Sequence, residues 1–234
     1  MERSDRLISE YDLLADYYDE LLGDDESLKL WLERLDHYRT GSKTLELACG
    51  TGSFLKLLKE NHYDVTGSDI SEAMLEKARI KCPDVPLLKL DMTDFKLNEK
   101  FDNIVCIVDS FNYLDDKQLD MMLECCYEQL KDNGVLLFDM HHQHRLREFA
   151  QDYDEEGYLN DVPYIFTIHA EDKELYEAFT FYLDEKPFSE YHHQYIYDPD
   201  DIRARMRRTG FKVTIEHDFI ENEKVLMIGK KEER

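Results

Sequence analysis

The stretch "TLELACGTGSF", residues 44–54, decides the fold. An apolar run carrying one acid, Glu46, leads into Gly50 and Gly52, and Ser53 to Asn61 then has the character of a helix. A strand that turns on glycines into a helix makes a site for a ligand. Glycine lets the backbone approach closely, and the N–H groups that open the helix face a negative group. Three ligands are conceivable: a dinucleotide, a nucleoside triphosphate or another adenosine compound.

The chain on either side reads as one α/β unit. After "KTLELA" come the strand "DVTGSD", a helix capped by Ser71 that runs to about Lys81, the strand "LLKLD", and the buried strand "FDNIVCIVD". A helix over Asp115 to Lys131 and the strand "GVLLFDM" follow. Strands that alternate with helices imply a parallel sheet covered on both faces. A helix over about 199–209, stopped by Gly210, precedes "KVTIEHDFI" and "KVLMIGKK". Only "ENE" joins those two strands, too short for a crossover, so they are antiparallel neighbours. The expected fold is a Rossmann-like, mostly parallel seven-stranded sheet with an antiparallel last strand. Amphipathic helices over about 5–22 and 26–38 come before it. Between His141 and Tyr197 the pattern turns aromatic and β-branched, as in a small antiparallel β insert. The expected divisions are residues 1–40, 41–140, 141–197 and 198–234.

Composition narrows the partners. With 29 Lys and Arg against 53 Asp and Glu, the net charge is −24, which disfavours a polyanion. The one dense basic stretch, Arg203 to Arg208, reads as the solvated face of a helix or, alternatively, as a tRNA contact. Five cysteines, an odd number with no framework spacing, suit reduced thiols in a cytoplasmic protein. No apolar run has membrane-spanning length, and "MERSDRLISE" lacks the apolar core of a secretory signal.

The acids select the ligand. Glu46 precedes the glycines, Asp69 ends the second strand about twenty residues past them, and Asp91 ends the third. Asp69 stands where a carboxylate accepts both ribose hydroxyls. Leu55 replaces the third glycine of a dinucleotide fingerprint, and no Gly-Lys-Ser/Thr is present. An acid before the glycines suits a cationic group rather than a pyrophosphate. Asp91 can accept from an adenine amino group, and Ile70 and Met92 offer apolar faces to the ring.

With these features the chain resembles the class I S-adenosylmethionine-dependent methyltransferases, strongly over residues 43–140. Glu46-Leu47-Ala48-Cys49-Gly50-Thr51-Gly52 matches the family's first motif, with Ala48 in place of its first glycine. The resemblance implies that this loop, Cys49 included, holds the methionine end of the cofactor, S-adenosyl-L-methionine, which leaves as S-adenosyl-L-homocysteine. It further implies that Asp69 holds the ribose, that Asp91 and Met92 hold the adenine, and that Asp109 and Ser110 flank the methionine and its methyl; Ile70 and Met74 are further candidates to contact the cofactor. Tyr11 and Tyr18 occupy places where a lid tyrosine closes over the cofactor. Both also lie on an apolar helix stripe, so core packing is an equal reading.

The chain looks like the small members of the family with an N-terminal helical lid and a β insert, some of which methylate amines of small metabolites or aminosugars. "DSFNYL" after the fourth strand is not the Asn/Asp-Pro-Pro-Tyr/Phe motif of enzymes that grip planar nitrogens. Where several aminosugar enzymes carry a histidine base, this chain has Tyr113, a poor base near neutral pH. His141 follows the fifth strand, and Glu190, His192 and Gln194 share one face of a strand in "EYHHQY". His141, His192 and Gln194 resemble a pattern in a bacterial branch of the family. Either histidine is a candidate base; both also read as ordinary polar residues of a half-exposed sheet. His141, His142 and His144 are crowded, but they lack a helical i,i+4 pair and a cysteine partner, and no metal is expected. The expected activity is methyl transfer to an amine or hydroxyl of a small molecule. A tRNA base is the alternative acceptor, and a non-catalytic cofactor-binding module the alternative of another class. Monomer and homodimer stay open.

Overall fold

The computed structural model describes residues 14–22, 25–220 and 223–233. Tyr11, Gly23 and the part of the first expected helix before residue 14 lie outside them. That helix, where described, is broken into a 3-10 turn at Leu14–Asp16 and a short helix α1 at Tyr18–Leu22. Helix α2 spans Asp25–Tyr38.

Seven strands form the main sheet, in the order β10-β11-β5-β4-β1-β2-β3. They are β1 (Lys43–Leu47), β2 (Asp64–Asp69), β3 (Leu87–Lys89), β4 (Phe101–Cys106), β5 (Leu130–His141), β10 (Phe211–Phe219) and β11 (Lys224–Lys231). β11 pairs antiparallel with both β5 and β10, and the other pairings are parallel. Helices α3 (Ser53–Glu60), α4 (Glu72–Lys81), α5 (Asp116–Gln129) and α7 (Pro199–Thr209) complete the crossovers. Strand order reverses between β1 and β4, and an open α/β sheet binds its ligand at the carboxyl ends of the strands beside such a point.

Alternation along the central strands explains why both faces are covered. Ile104 and Cys106 of β4 pack with Leu119, Met122 and Met206 under α5 and α7. Val105, one residue out of phase, packs with Trp31, Leu55 and Leu75 under α2, α3 and α4. Such continuous burial is what a parallel strand requires. Local signals set the helix limits. Ser71 accepts the Met74 N–H, Asp115 and Gln118 form a reciprocal capping box, and Gly210 ends α7 in the left-handed conformation.

The second sheet is antiparallel, in the order β6-β7-β8-β9: Tyr153–Leu159, Val162–Glu171, Glu174–Leu183 and Lys186–Tyr195. A four-residue helix, α6 (Arg145–Glu148), leads into it. Asn112, wholly buried, ties it to the core: its Nδ2 donates to the Tyr195 carbonyl at 2.6 Å, and its Oδ1 accepts from the His141 N–H at 3.1 Å.

Several boundaries differ from expectation, and three bear on the site. β4 ends at Cys106 and does not run on to Asp109. β5 runs from Leu130 to His141, because the chain leaves α5 directly into strand pairing with Phe101; His141 is therefore the strand's last residue and does not lie beyond it. β3 stops at Lys89, so Asp91 lies two residues past its end.

Gly67 of β2 is pinned by packing: a Cβ there would meet Leu55 Cδ1 at 2.4 Å, Leu87 Cδ2 at 2.8 Å and Cys49 Sγ at 3.2 Å. Gly67→Ala is expected to lower unfolding stability by about 1–3 kcal/mol in urea titrations. An unchanged midpoint would contradict this packing of β2 against the glycine loop.

Candidate active site

The turn after β1 is a run of unusual backbone. Ala48, Gly50 and Gly52 have φ of 52°, 53° and 83°. Ala48 stands in the left-handed region without a glycine's freedom, at a cost of roughly 1 kcal/mol. The substitution for glycine therefore strains the turn as well as crowding it. Asp69, at the end of β2, holds the turn: its Oδ2 accepts the Gly50 N–H and its Oδ1 the Ser71 N–H, each at 2.8 Å. Burial raises the Asp69 carboxyl above its usual range, and these N–H groups offset only part of the rise.

Two adjoining cavities, of about 210 and 200 Å³, flank this turn. Tyr18, Ala48, Gly50 and Ser110 line both. The first is walled by Glu46, Cys49, Trp31 and Phe54, with Asp139 and Lys224 also on its lining. The second contains Asp69, Ile70, Met74, Asp91, Met92 and Tyr113. The cleft thus gathers most residues singled out in the sequence. Gly52 is not on its wall but opens α3 against Ala78 of α4. Asp91 is exposed, and its Oδ1 accepts from Thr93 N–H and Oγ1–H at 2.8 and 2.7 Å.

Glu46 is the electrostatic anomaly of the first cavity. It is 2% exposed, and its Oε2 has no hydrogen-bond partner. Burial, then the charge of Asp69, pushes its carboxyl well above the usual range. A buried carboxyl with a vacant oxygen suits a ligand that brings positive charge and N–H donors. The glycine turn, the Asp69 carboxylate and the methionine faces of the second cavity suit an adenosine. Together these groups fit S-adenosylmethionine, whose amino group and sulfonium are cationic.

The N-terminal segment covers the cleft. Asp19 accepts from Thr51 Oγ1–H at 2.5 Å on the glycine turn and pairs with Lys81 at 2.6 Å. Leu14 is buried among Leu159, Tyr164, Phe179 and Phe181 of the second sheet. Tyr18 lies between, and burial, then Asp109 and Asp69, raises its phenol.

The histidines separate into two groups. His192, 3% exposed, lies with its Nδ1 3.2 Å from the Tyr113 hydroxyl and its Nε2 3.2 Å from Glu190 Oε1. His141, 4% exposed, shares a 2.9 Å hydrogen bond between its Nε2 and Gln194 Oε1. Neither histidine belongs to a half-exposed face; the inner face of β9 is buried against the core. His142 and His144 pair with each other through Nδ1 at 2.9 Å.

Asp109 follows β4 on a turn in which Val108 and Asp109 both have positive φ, 58° and 59°. Its carboxylate lines neither cavity. It pairs with Lys224 beneath the first cavity and stands 3.3 Å from His141 Nδ1. Its N–H donates to both oxygens of Asp139, at 3.2 and 3.3 Å. Asp139 and Lys224 were missed in the sequence. An acid inside the apolar run "GVLLFDM" was the available signal for the first, whereas the lysine opening β11 carried none.

This cluster titrates in a defined direction. Burial, then Asp109, pushes Asp139 up to about 8, while burial brings His141 down to about 4. Folding therefore stabilises protonated Asp139, and that contribution is lost as pH rises toward 8. The His141 contribution has the opposite sign, being present above about 6.5 and lost as pH falls toward 4. Within this cluster the Asp139 contribution is the one that changes between pH 6.5 and 8, and it lowers the unfolding free energy as pH rises through that window, in the same direction as the raised carboxyl of Glu46. Asp139→Asn should flatten that limb in urea titrations at the two pH values. An equal slope in both proteins would contradict the assignment.

Known proteins place the chain. The methyltransferase domain model matches residues 44–134. The protein named "Putative methyltransferase YqeM" of Bacillus subtilis (strain 168) is 30% identical over 229 residues, covering 91% of this chain and 91% of its own. The dTDP-3-amino-3,4,6-trideoxy-alpha-D-glucopyranose N,N-dimethyltransferase of Streptomyces venezuelae is 35% identical over 99 residues, 42% of each chain. Among solved structures, an S-adenosylmethionine-dependent methyltransferase from Clostridium acetobutylicum shares the fold at a TM-score of 0.81 and 23% identity, covering 95% of this chain and 99% of its own. With the glycine turn, the buried Glu46 and the two-part cleft already in place, the chain belongs to the class I S-adenosylmethionine-dependent methyltransferases.

Proposed function

We propose that this methyltransferase acts on a small molecule and methylates an amine nitrogen or a hydroxyl oxygen. The observation that carries the reading is the Tyr113–His192 pair at the edge of the second cavity. Tyr113 comes from the turn after β4 and His192 from the inner face of the second sheet. A hydroxyl on the cleft wall with a buried imidazole behind it can take a proton from an acceptor and pass it inward. His141, on Gln194 and the Asp109 cluster, shapes the floor from further away.

Bound S-adenosylmethionine supplies an electrophilic methyl on a sulfonium. In this reading Glu46 pairs with its amino group, and the Ala48 to Gly52 turn, with Cys49, holds the methionine end. Asp69 takes the ribose hydroxyls, Ile70, Met74, Asp91 and Met92 bound the adenine, and Ser110 and Tyr18 close over the junction. Alignment of acceptor and methyl, with water excluded by the N-terminal segment, supplies most of the rate.

Two observations favour a small acceptor over tRNA. Two of the four arginines in the basic stretch are engaged at home: Arg205 pairs with Asp116 and Asp120 of α5, and Arg203 with Asp200 at 2.8 Å. The surface as a whole is acidic, with a net charge of −24. The likeness to an aminosugar dimethyltransferase supports nitrogen as the acceptor atom. The test is a screen of amines, aminosugars and hydroxylated metabolites, with bulk tRNA beside them, read by release of S-adenosylhomocysteine. Turnover on a small molecule is expected; turnover on tRNA alone would overturn the reading.

Two substitutions probe the roles. Asp69→Ala is expected to weaken S-adenosylhomocysteine binding by roughly 10- to 100-fold in calorimetric titration, the weight of a hydrogen-bonded charge. An unchanged affinity would remove Asp69 from the site. His192→Ala is expected to lower kcat by about 10²-fold or more, with the KM for S-adenosylmethionine within threefold. A loss in KM alone would argue for a structural role.

A further inference from the structure

Behind the Tyr113–His192 pair lies a carboxylate that touches neither the cleft nor solvent. Glu190 is 4% exposed on the inner face of β9, two residues from His192 on the same side of the strand. One oxygen, Oε1, stands 3.2 Å from His192 Nε2, at ion-pair distance though outside hydrogen-bond alignment. The other, Oε2, accepts the N–H of Leu14 at 3.1 Å, from the segment that covers the cleft. Leu14 is 1% exposed and held by Leu159, Phe179 and Phe181, so this N–H is delivered by apolar packing.

We propose that Glu190 is a positioning residue that sets which nitrogen of His192 is free to take a proton, and that it does so while the N-terminal segment is docked. The inference rests on the small-molecule reading above for its catalytic use, but not for its geometry. A carboxyl group whose oxygen lies this close to a ring nitrogen favours the hydrogen on that nitrogen through its negative potential. Nε2 is then protonated, and Nδ1, toward Tyr113, is the acceptor. The phenol O–H donates to it. In the reaction the acceptor's proton goes to the Tyr113 oxygen as the phenol proton goes to Nδ1, leaving an imidazolium against Glu190. The acceptor gains the methyl, and the sulfonium becomes a thioether. Glu177 stands directly across from His192 on β8, and among the described residues Tyr113, Glu190 and Glu177 are titratable side chains beside the ring. Asp109, Arg145 and Lys224 act on Glu177 from further off.

The Leu14 N–H links this arrangement to the lid. With one oxygen held by the lid backbone, the carboxylate cannot rotate away from the imidazole. Undocking of the segment would release it, and the ring would lose its orientation when the cleft opens to water.

The experiment is long-range ¹H–¹⁵N correlation of the histidine rings in the full chain, with His192 assigned from a His192→Gln variant. Wild type is expected to show Nε2 protonated and Nδ1 as acceptor. In Glu190→Gln the amide oxygen is held by Leu14, the NH₂ faces Nε2, and the ring is expected to switch to the Nδ1–H form. The same variant should lower kcat by about 10²-fold on any acceptor found in the screen, with KM for S-adenosylmethionine within threefold. Nδ1 protonated in wild type, or no switch in a folded Glu190→Gln protein, would overturn the proposal. If Glu190→Gln does not fold, the wild-type tautomer alone decides. A screen that finds no small acceptor overturns the earlier reading and leaves the tautomer result standing, so the two failures are distinct.

Discussion

The carboxylate of Asp69 is the point from which the cleft is hung. By accepting the Gly50 and Ser71 N–H groups at once, it joins the turn after β1 to the cap of α4. The turn could not hold three left-handed residues in five positions without such a fastening, since Ala48 at φ 52° works against it. Glu46 is held on β1 by pairing with β2 and β4, and its Oε2 is left without a hydrogen-bond partner. Turn conformation and ribose site thus share one side chain at one strand end, with the cationic subsite beside them.

The second organising contact is between the N-terminal segment and the antiparallel sheet. Both cover the same end of the main sheet, and each alone would leave apolar surface exposed. Leu14 and Tyr17 supply the seal, Tyr17 stacking on Phe181 at 4.8 Å. The few polar groups on the sheet's inner face are therefore confined to dry positions, where a hydrogen bond is strong and an unmade one is costly. That confinement explains why Glu190, His192 and Gln194 are each within 4% of full burial. No helix among the described residues is long and apolar enough to cross a membrane.

Much of this was legible from periodicity and punctuation. The strand–helix alternation, Ser71 as a cap, Gly210 as a stop and the short link between the last two strands fixed seven strands and the antiparallel one. The acids at strand ends were legible because polar residues inside apolar runs stand out. Long-range pairing was not. Tyr113 and His192 are 79 residues apart, and nothing in either segment announces their contact. Lys224 looks like any strand-opening lysine until β11 pairs with β5 and sets it opposite His141. The inner face of β9 was legible as a face, yet its burial depends on the core it meets. The pairing of Asp109 with Lys224, from a strand 115 residues further on, was likewise not legible.

The central claim is that this cleft is shaped for an adenosine compound with a cationic amino-acid end. Thermal melting with S-adenosylhomocysteine, and separately with NADH, tests it most directly. At a hundred times its dissociation constant a ligand adds about 2.7 kcal/mol of stability, which for a chain of 234 residues is a rise of roughly 5–10 °C. That rise is expected with S-adenosylhomocysteine and none with NADH. A rise with NADH alone, or equal rises with both, would contradict it.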